Sequence, residues 1–278
     1  MLHEFLELND EKGTFPSSIH FYRRAVHLVS GVSFTEGAAF GTIAPAMIKA
    51  VFFDLYHTLL GYDPPREELQ ARALGELGIV VKSEALRWPM IVADEYICQE
   101  HARAPLGQRS QEEQAAVWAQ YERKLLGEAG IEADDRLILG LLGKMRQFDM
   151  KQVLFDDVLP ALTELKKREL ILGLISNIDR DITALLDDLG LTPLMQVVVT
   201  SQDTGFNKPG PEIFQEAVKR AGIQANEAIY VGDQYQVDVV GANQVGMKGI
   251  LIDRGDYFTE LDDYPRLRDL TQISEYLA

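Results

Sequence analysis

The feature that most constrains the fold is an apolar run that ends in a single carboxylate. The chain passes from Ala50–Phe53 directly into Asp54, and Thr58 follows four residues later. Such an apolar run is typical of a strand buried on both faces of a parallel sheet. The residue that follows the strand lies at the carboxyl edge of the sheet, where open α/β folds bind their ligands. An isolated Asp at this position is also consistent with a cap for the next loop, because Asp is a common capping residue.

The composition indicates a globular chain with ample core material and an acidic surface. Of the 278 residues, 46% are hydrophobic and 25% are charged, and the formal net charge is −16. This charge disfavours nucleic acid and membranes as partners, and no stretch has the length of a transmembrane helix. Cys98 is the single cysteine, which excludes an intrachain disulfide and suits a reducing compartment, so we expect a cytoplasmic protein. Monomer and homodimer both remain open.

Two segments of the chain differ in sequence pattern from the remainder. Residues 1–46 have early acidic residues and precede a natural start at Met47, so we interpret them as an N-terminal appendage, either disordered or an upstream-start artefact. An accessory helix around residues 19–29, docked on the core, is the alternative. Residues 63–149 have helical patterns, which predict a four-helix cap inserted into the core. The predicted cap helices cover residues 69–77, 83–99 (with Pro89 as a bend or restart), 110–125 (with a Ser110/Glu113 capping box) and 134–145.

The remaining segments, residues 47–62 and 150–278, form the predicted core, in which strand and helix patterns alternate. This alternation predicts an α/β fold with a doubly wound, Rossmann-like parallel sheet and helices on both faces. After the first strand, the predicted strands cover residues 170–175, 196–200, 228–232 and 249–253, and the predicted helices cover residues 159–167, 181–189, 212–221, 237–244 and 271–277.

Polar residues follow several of the predicted strands. Asp54, the pair Ser176 and Asn177, and Asp233 each come at a strand end, and Lys208 lies in the loop after another strand. In a doubly wound sheet these ends line one crevice. A carboxylate there can act as a nucleophile and form an aspartyl-phosphate, and two carboxylates suit a magnesium ion. A lysine and a hydroxyl can hold the phosphoryl oxygens, so the set indicates phosphoryl chemistry.

Over residues 47–253 the chain resembles the haloacid dehalogenase superfamily of hydrolases. The D-x-D-x-T motif is matched by Asp54–Thr58 except at its second Asp, and the hydrophobic strand ending in Ser or Thr is matched by 174–177. The lysine motif G-x-x-K-P-x-P-x-I-F is matched by Gly205–Phe214, and G-D-x-x-x-x-D is matched by Gly232–Asp238. The helical insert agrees with the position and type of the family's helical cap. The resemblance implies a HAD-type α/β core with a cap.

The resemblance also implies a role for each matched residue. Asp54 would be the nucleophile, with Ser176 and Lys208 as further catalytic residues. Thr58, Ser176, Asn177 and Lys208 would bind or orient the phosphoryl group, although Thr58 and Asn177 have the alternative of stabilising turns. Magnesium would be held by Asp54, the backbone carbonyl of Tyr56, Asp233 and Asp238, the last either as a ligand or as a neighbour of the ligands.

Tyr56 is the departure from the family pattern. Phosphatases of this family usually have an Asp there as general acid and base, and a tyrosine with an ordinary pKa of about 10 is a poor base. Haloacid dehalogenases also have Tyr at this position, but they have small uncharged residues where this chain has Asp233. Two aspartates without a metal would repel each other, so Asp233 favours a metal site. We therefore expect a magnesium-dependent phosphatase for a small phosphorylated metabolite, with a 2-haloacid dehalogenase or a non-catalytic binding protein as alternatives.

Overall fold

The computed structural model describes residues 47–259 and 264–277, so the predictions for residues 1–46 lie outside the described residues. Its centre is a six-stranded sheet in which all neighbouring strands are parallel, in the order β5-β4-β1-β6-β7-β8. Strands β2 and β3 pair with each other in a separate two-stranded antiparallel sheet, which we call the hairpin. The strands are β1 (Ala50–Phe53), β2 (Leu60–Asp63), β3 (Lys151–Leu154), β4 (Ile171–Ser176), β5 (Val197–Thr200), β6 (Ala228–Gly232), β7 (Lys248–Ile252) and β8 (Arg266–Leu267).

Strand β1 is buried on both faces, as its apolar run predicts. Val51 and Phe53 belong to the apolar cluster on one face of the sheet, and Ala50 and Phe52 belong to the cluster on the other face. Helices cover both clusters, which confirms the predicted doubly wound architecture. Because β1 pairs with both β4 and β6, the carboxyl ends of these three strands meet at one edge of the sheet.

A helical unit, residues 66–145, lies between the two strands of the hairpin. In the described residues it contains four α-helices, which pack around an apolar core of their own that includes Leu74, Leu125 and Leu141. The predicted capping box at Ser110 and Glu113 is present. The helices are α1 (Arg66–Glu76), α2 (Arg87–Arg103), α3 (Gln111–Glu128) and α4 (Asp135–Met145).

The second helix of this unit differs from its prediction at both ends. Residues 83–86 form a 3₁₀ turn, and α2 begins after it and continues to Arg103 instead of ending at residue 99. Pro89 lies in the first turn of α2, where its missing N–H has no intrahelical partner to lose. The proline therefore restarts the helix and does not bend it.

The core helices pack on the two faces of the sheet. In helix 211–221, Pro211 is the first residue and Gly222 ends the helix with a left-handed φ of 69°. None of the helices in the described ranges is both long and apolar enough to cross a bilayer. The core helices are α5 (Val158–Lys167), α6 (Thr183–Asp188), α7 (Ser201–Thr204), α8 (Pro211–Ala221) and α9 (Gly241–Gln244).

Three details of the core correct the sequence interpretation. The predicted helix over 237–244 is a π-helical turn at Tyr235–Val240 followed by α9. The predicted closing helix is a 3₁₀ helix at Leu270–Tyr276. The β2–β3 hairpin was not predicted, because its strands are four residues long and the helical unit separates them in sequence.

Glu122 is a buried carboxylate of the helical unit. The side chain of Glu122 on α3 is 4% exposed, and its Oε2 accepts a hydrogen bond from Nε2 of Gln70 at 2.6 Å. Burial raises the pKa of Glu122 to about 7, and the hydrogen bond from Gln70 opposes this rise. The charged form of Glu122 is therefore unfavourable in the folded protein.

Glu122→Gln is expected to raise the free energy of unfolding at pH 8 and to change it little at pH 4. The folded pKa lies above the unfolded value, so the penalty is absent below the unfolded pKa and grows as the pH rises through the folded pKa. The gain at pH 8 is on the order of 1–3 kcal/mol, measured by urea unfolding at both pH values. Glu132→Gln, at an exposed position of the same unit, is the control. A gain from Glu122→Gln that is independent of pH would contradict the interpretation.

Candidate active site

The sheet brings three of the predicted site residues to one edge. Asp54 follows β1, Ser176 ends β4 and Asp233 follows β6. The backbone N–H of Asp54 donates to the carbonyl oxygen of Val231 at 2.9 Å, so the pairing of β1 with β6 extends to Asp54. Ser176 Oγ donates to Asp54 Oδ1 at 2.9 Å. The parallel register thus places the predicted nucleophile between the two neighbouring strand ends.

A buried ammonium group joins these residues. Lys208 Nζ donates to Asp54 Oδ1 at 2.7 Å, to Asp238 Oδ1 at 2.7 Å and to the Tyr230 hydroxyl at 2.8 Å. The Lys208 side chain is 3% exposed. A lysine ammonium has three N–H donors, and here all of them have an acceptor.

The electrostatics of this cluster follow from burial and mutual contact. Burial lowers the pKa of Lys208, but Asp238 and Asp54 raise it more, so the net pKa lies above its ordinary value and the group is charged. Burial raises the pKa of Asp54, and Asp238 adds to the rise while Lys208 opposes it. Burial, followed by Asp238 and Asp54, raises the pKa of Asp233 well above its ordinary range. Excess carboxylate charge of this kind is what a divalent cation neutralises.

Both carboxylate oxygens of Asp238 accept hydrogen bonds within this cluster. Oδ1 contacts Lys208 Nζ and the Tyr230 hydroxyl, and Oδ2 accepts a hydrogen bond from the backbone N–H of Gln234 at 2.9 Å. A Cβ atom on Gly232 would lie 2.3 Å from the Asp238 carboxyl carbon, so only glycine fits at that position. In this arrangement Asp238 fixes the lysine.

The remaining predicted phosphate-binding residues hold the loops of the site. The Asn177 side chain accepts from the Lys208 N–H at 2.7 Å and donates to the Lys208 carbonyl at 2.9 Å. It therefore positions the lysine loop through its backbone. Thr58 is fully buried, with Oγ1 at 3.5 Å from Asp233 Oδ1.

Asp54 and Asp233 are suitable ligands for magnesium. In the described residues, no group of three or more His, Cys, Asp or Glu side chains has the arrangement of a metal site. Magnesium does not need such a group, because it commonly binds through one or two carboxylates, waters and a substrate phosphate. Asp54 and Asp233 supply that pair, and in the described part of the chain neither has a protein hydrogen bond on its Oδ2 atom. The donor set therefore fits the predicted ion.

Tyr56 anchors neighbouring loops. Its hydroxyl accepts hydrogen bonds from Nη2 of Arg180 and from Nε2 of Gln152, both at 3.0 Å. Its ring stacks on Tyr62 with centroids 6.4 Å apart. These contacts join the hairpin to the loop after β4.

Arg254 contributes to the site but was not predicted from the sequence. Its Nη2 donates to the Thr58 carbonyl at 2.8 Å, and its Nη1 donates to Asp157 Oδ2 at 2.8 Å. Its guanidinium group lies 4.0 Å from the centre of the Phe155 ring. Arg254 thus fixes the loop that carries Thr58. Its place two residues after β7, at the same sheet edge, is the signal that could have identified it.

Helix α2 of the helical unit lies over the site. Nε2 of His57 is 3.9 Å from Oδ2 of Asp94, and Cys98 Sγ accepts a hydrogen bond from Nε2 of Gln234 at 2.9 Å. His57 has a left-handed backbone with a φ of 61°, which is uncommon outside glycine. Burial, aided by Arg66, lowers the pKa of His57 to about 4 despite the nearby Asp94, so its imidazole is neutral at pH 7. Asp94 and Cys98 are one helical turn apart, a spacing that could have indicated a shared face.

Comparison with known proteins identifies close resemblances over most of the chain. The family model described as haloacid dehalogenase-like hydrolase matches residues 95–252. The glyceraldehyde 3-phosphate phosphatase of Methanopyrus kandleri is 32% identical over 76% of this chain and 86% of its own length. The human haloacid dehalogenase-like hydrolase domain-containing protein 3 is 30% identical over 74% of this chain and 82% of its own. The ribulose-1,5-bisphosphate 5-phosphatase of Halopiger xanaduensis is 30% identical, with coverages of 74% and 85%.

Solved structures share the fold at lower identity. The magnesium-bound hydrolase YfnB of Bacillus subtilis matches with a TM-score of 0.54 at 21% identity, covering 83% of this chain and 99% of its own. The L-2-haloacid dehalogenase RSc1362 matches with a TM-score of 0.55 at 21% identity, covering 84% and 99%. At such identities the likeness describes the fold alone, and the fold is common to phosphatases and dehalogenases.

The contacts of Tyr230 lead to a stability prediction. Tyr230→Phe is expected to lower the free energy of unfolding by about 1–3 kcal/mol, because its buried hydroxyl contacts Lys208 Nζ and donates to the Ile175 carbonyl at 2.9 Å. Tyr276→Phe is the control, since its hydroxyl makes one longer contact of 3.3 Å in a partly exposed setting. Urea unfolding of both variants measures the difference. Equal losses would mean that the hydroxyl contacts of Tyr230 contribute little.

Proposed function

This chain belongs to the haloacid dehalogenase-like hydrolases, and from that premise we propose that it is a magnesium-dependent phosphatase acting on a small phosphorylated metabolite. The observation that supports this most strongly is the position of Asp233 beside Asp54, with both carboxylates at adjacent strand ends. A phosphatase needs such a pair for its cation. The names of the relatives, which are phosphatases of glyceraldehyde 3-phosphate and of ribulose-1,5-bisphosphate, favour the same chemistry.

In the proposed reaction Asp54 attacks the phosphorus through Oδ2, while Oδ1 stays hydrogen-bonded to Ser176 and Lys208. The bond between phosphorus and the ester oxygen breaks as the phosphoryl group passes to Asp54 as an acyl phosphate, and the alkoxide leaves and takes a proton from water. Water then attacks the phosphorus, releases inorganic phosphate and restores the carboxylate. A magnesium ion held by Asp54, Asp233 and the Tyr56 carbonyl would neutralise charge on the phosphoryl oxygens. Ser176, whose hydroxyl donates to Asp54, would hold the nucleophile in place, and Thr58 would orient the phosphoryl oxygens.

Helix α2 and its neighbours serve in this proposal as a cap, with residues 63–149 as the cap and residues 47–62 and 150–278 as the core. Two hydrogen bonds between the cap and the core support the assignment. One runs from Gln234 to Cys98, and the other from the Gly107 N–H to Asp179 Oδ2 at 3.1 Å. A cover of this kind excludes water from the reacting groups.

Dehalogenation of a 2-haloacid is the second candidate, favoured by Tyr56 and by the pair Ser176 and Asn177. The charge of the site opposes it. Asp54, Asp233 and Asp238 lie around the single ammonium of Lys208, so an anionic haloacid would enter a region with excess negative charge.

The test of the function is a panel of phosphate esters and 2-haloacids, each assayed with and without Mg²⁺. We expect phosphate release only with the metal. Asp233→Asn should weaken Mg²⁺ binding at least about tenfold in calorimetry, because it removes one charged ligand, and should lower phosphate release. Asp188→Asn, an exposed carboxylate in the core, is the matched control. Halide release without metal would instead establish the dehalogenase, and unchanged Mg²⁺ binding in Asp233→Asn would exclude this metal site.

The lack of a carboxylic general acid at position 56, which Tyr56 occupies, leads to a second test. Tyr56→Asp is expected to raise kcat on alkyl phosphates more than on aryl phosphates, because only alkoxide leaving groups need protonation. General acid–base catalysis contributes about 10²–10⁴-fold, which is the upper limit of the gain. The contacts of Tyr56 with Arg180 and Gln152 will be lost, so the gain should fall short of this limit.

Tyr56→Phe is the control for that loss, because it removes the two hydrogen bonds and adds no carboxylate. The measurement is kcat of both variants on glycerol phosphate and on p-nitrophenyl phosphate. If Tyr56→Asp and Tyr56→Phe lose activity equally on both esters, Tyr56 is an anchor and the missing-acid argument is wrong.

A further inference from the structure

One carboxylate of the helical unit faces the site and has no part in the proposed chemistry. Asp94 lies on the face of α2 that also carries Cys98. Its Oδ2 is 3.9 Å from Nε2 of His57, which belongs to the loop after β1, and Cys98 contacts Gln234, the residue after Asp233. This face of α2 therefore lies over the ends of β1 and β6, where the leaving group of a substrate bound at Asp54 would be.

Asp94 is held in a fixed orientation. Arg66 donates from Nη1 to Oδ1 at 3.0 Å and from Nη2 to Oδ2 at 2.6 Å, and the Tyr121 hydroxyl donates to Oδ1 at 3.1 Å. Such two-pronged pairs fix geometry as well as charge. In the described residues Oδ2 accepts only the Arg66 bond, so it has capacity for another donor. Burial raises the pKa of Asp94, but Arg66 lowers it more, and the net pKa lies below the ordinary value.

The cations around the site are already paired. Each N–H of the Lys208 ammonium has an acceptor, and both terminal nitrogens of Arg66 bind Asp94. Arg180, which lies near Tyr56, forms no ion pair among the described residues. It is exposed and donates to the Tyr56 hydroxyl. In the described part of the chain, a leaving group under α2 therefore meets a fixed carboxylate acceptor and no unpaired buried cation.

We propose that Asp94 determines substrate specificity by accepting a hydrogen bond from a hydroxyl of an uncharged leaving group and by repelling esters that carry a second anionic group. The proposal rests on the phosphatase function proposed above and narrows its substrate to monophosphates of small polyols or sugars. A hydroxyl donates to a carboxylate, whereas a second carboxylate or phosphate would face a like charge. Of the two substrates named for the relatives, glyceraldehyde 3-phosphate fits this class and the bisphosphate does not.

The wild-type protein tests the proposal directly with esters of matched size. Glycerol phosphate and glyceraldehyde 3-phosphate carry a neutral leaving group, whereas 3-phosphoglycerate and phosphoglycolate carry a carboxylate. With Mg²⁺, kcat/KM should be at least about tenfold higher for the first pair. p-Nitrophenyl phosphate serves as the reference. If it and all the other esters are inert, the phosphatase function fails and the specificity proposal with it. If it is hydrolysed and the two pairs react equally, only the specificity proposal is overturned.

Asp94→Asn separates charge from shape, because it keeps the size of the side chain and one acceptor oxygen. We expect the preference for neutral esters to fall about tenfold, mainly through a lower KM for the carboxylated esters, with the activity of each variant on p-nitrophenyl phosphate as the reference. Glu122→Gln, which neutralises the other buried carboxylate of the helical unit, should keep the wild-type preference. An unchanged preference in Asp94→Asn overturns the proposal.

Two further variants keep the test decisive. If Asp94→Asn does not fold, the double variant Arg66→Met with Asp94→Leu removes the buried pair together, a change that proteins often tolerate. Its preference for neutral esters should also be lost. Arg180→Met tests the opposite outcome. If the wild type prefers carboxylated esters and this variant does not, Arg180 selects an anionic substrate and Asp94 does not set the specificity.

Discussion

The site depends on one buried ammonium among carboxylates. Lys208 comes from the loop after β5, yet it binds Asp54 after β1 and Asp238 in the π-helical turn after β6. Charges this deeply buried are tolerated only when they are paired, so each partner constrains the others. The absence of a side chain at Gly232 lets Asp238 reach the lysine, and Asn177 holds the lysine backbone. Much of the loop geometry at this sheet edge follows from satisfying that one charge.

The parts of the fold that follow from local patterns could be predicted from the sequence. The burial of β1 on both faces follows from four consecutive apolar residues, and the positions of Asp54, Ser176 and Asp233 follow from their places at strand ends. The parallel register then brings them together whatever the loops do. Lys208 was predictable because its loop has a long, specific motif.

Features set by distant partners could not be predicted. The motif identified Asp238, but it did not indicate the π-helical turn that carries this residue, a form that is frequent at functional sites and has no sequence signature of its own. The contact of Arg254 with Thr58 joins segments 196 residues apart. Periodicity indicated that α2 is helical, but it contained no information about which loops its Asp94 face would cover. The two hydrogen bonds that the Tyr56 hydroxyl accepts also come from segments 96 and 124 residues away.

The sequence separation of the site residues also has a consequence for how the chain folds. The helical unit forms its contacts within one continuous segment, whereas the site requires Asp54 to meet Ser176 and Lys208 across 122 and 154 residues. Closing long loops costs entropy before any contact forms, so distant pairings tend to come late in folding. Far-UV ellipticity will therefore recover while the two carboxylates that would hold a cation are still apart. The helical content of the insert can form before the sheet is complete, whereas cation binding requires the completed sheet.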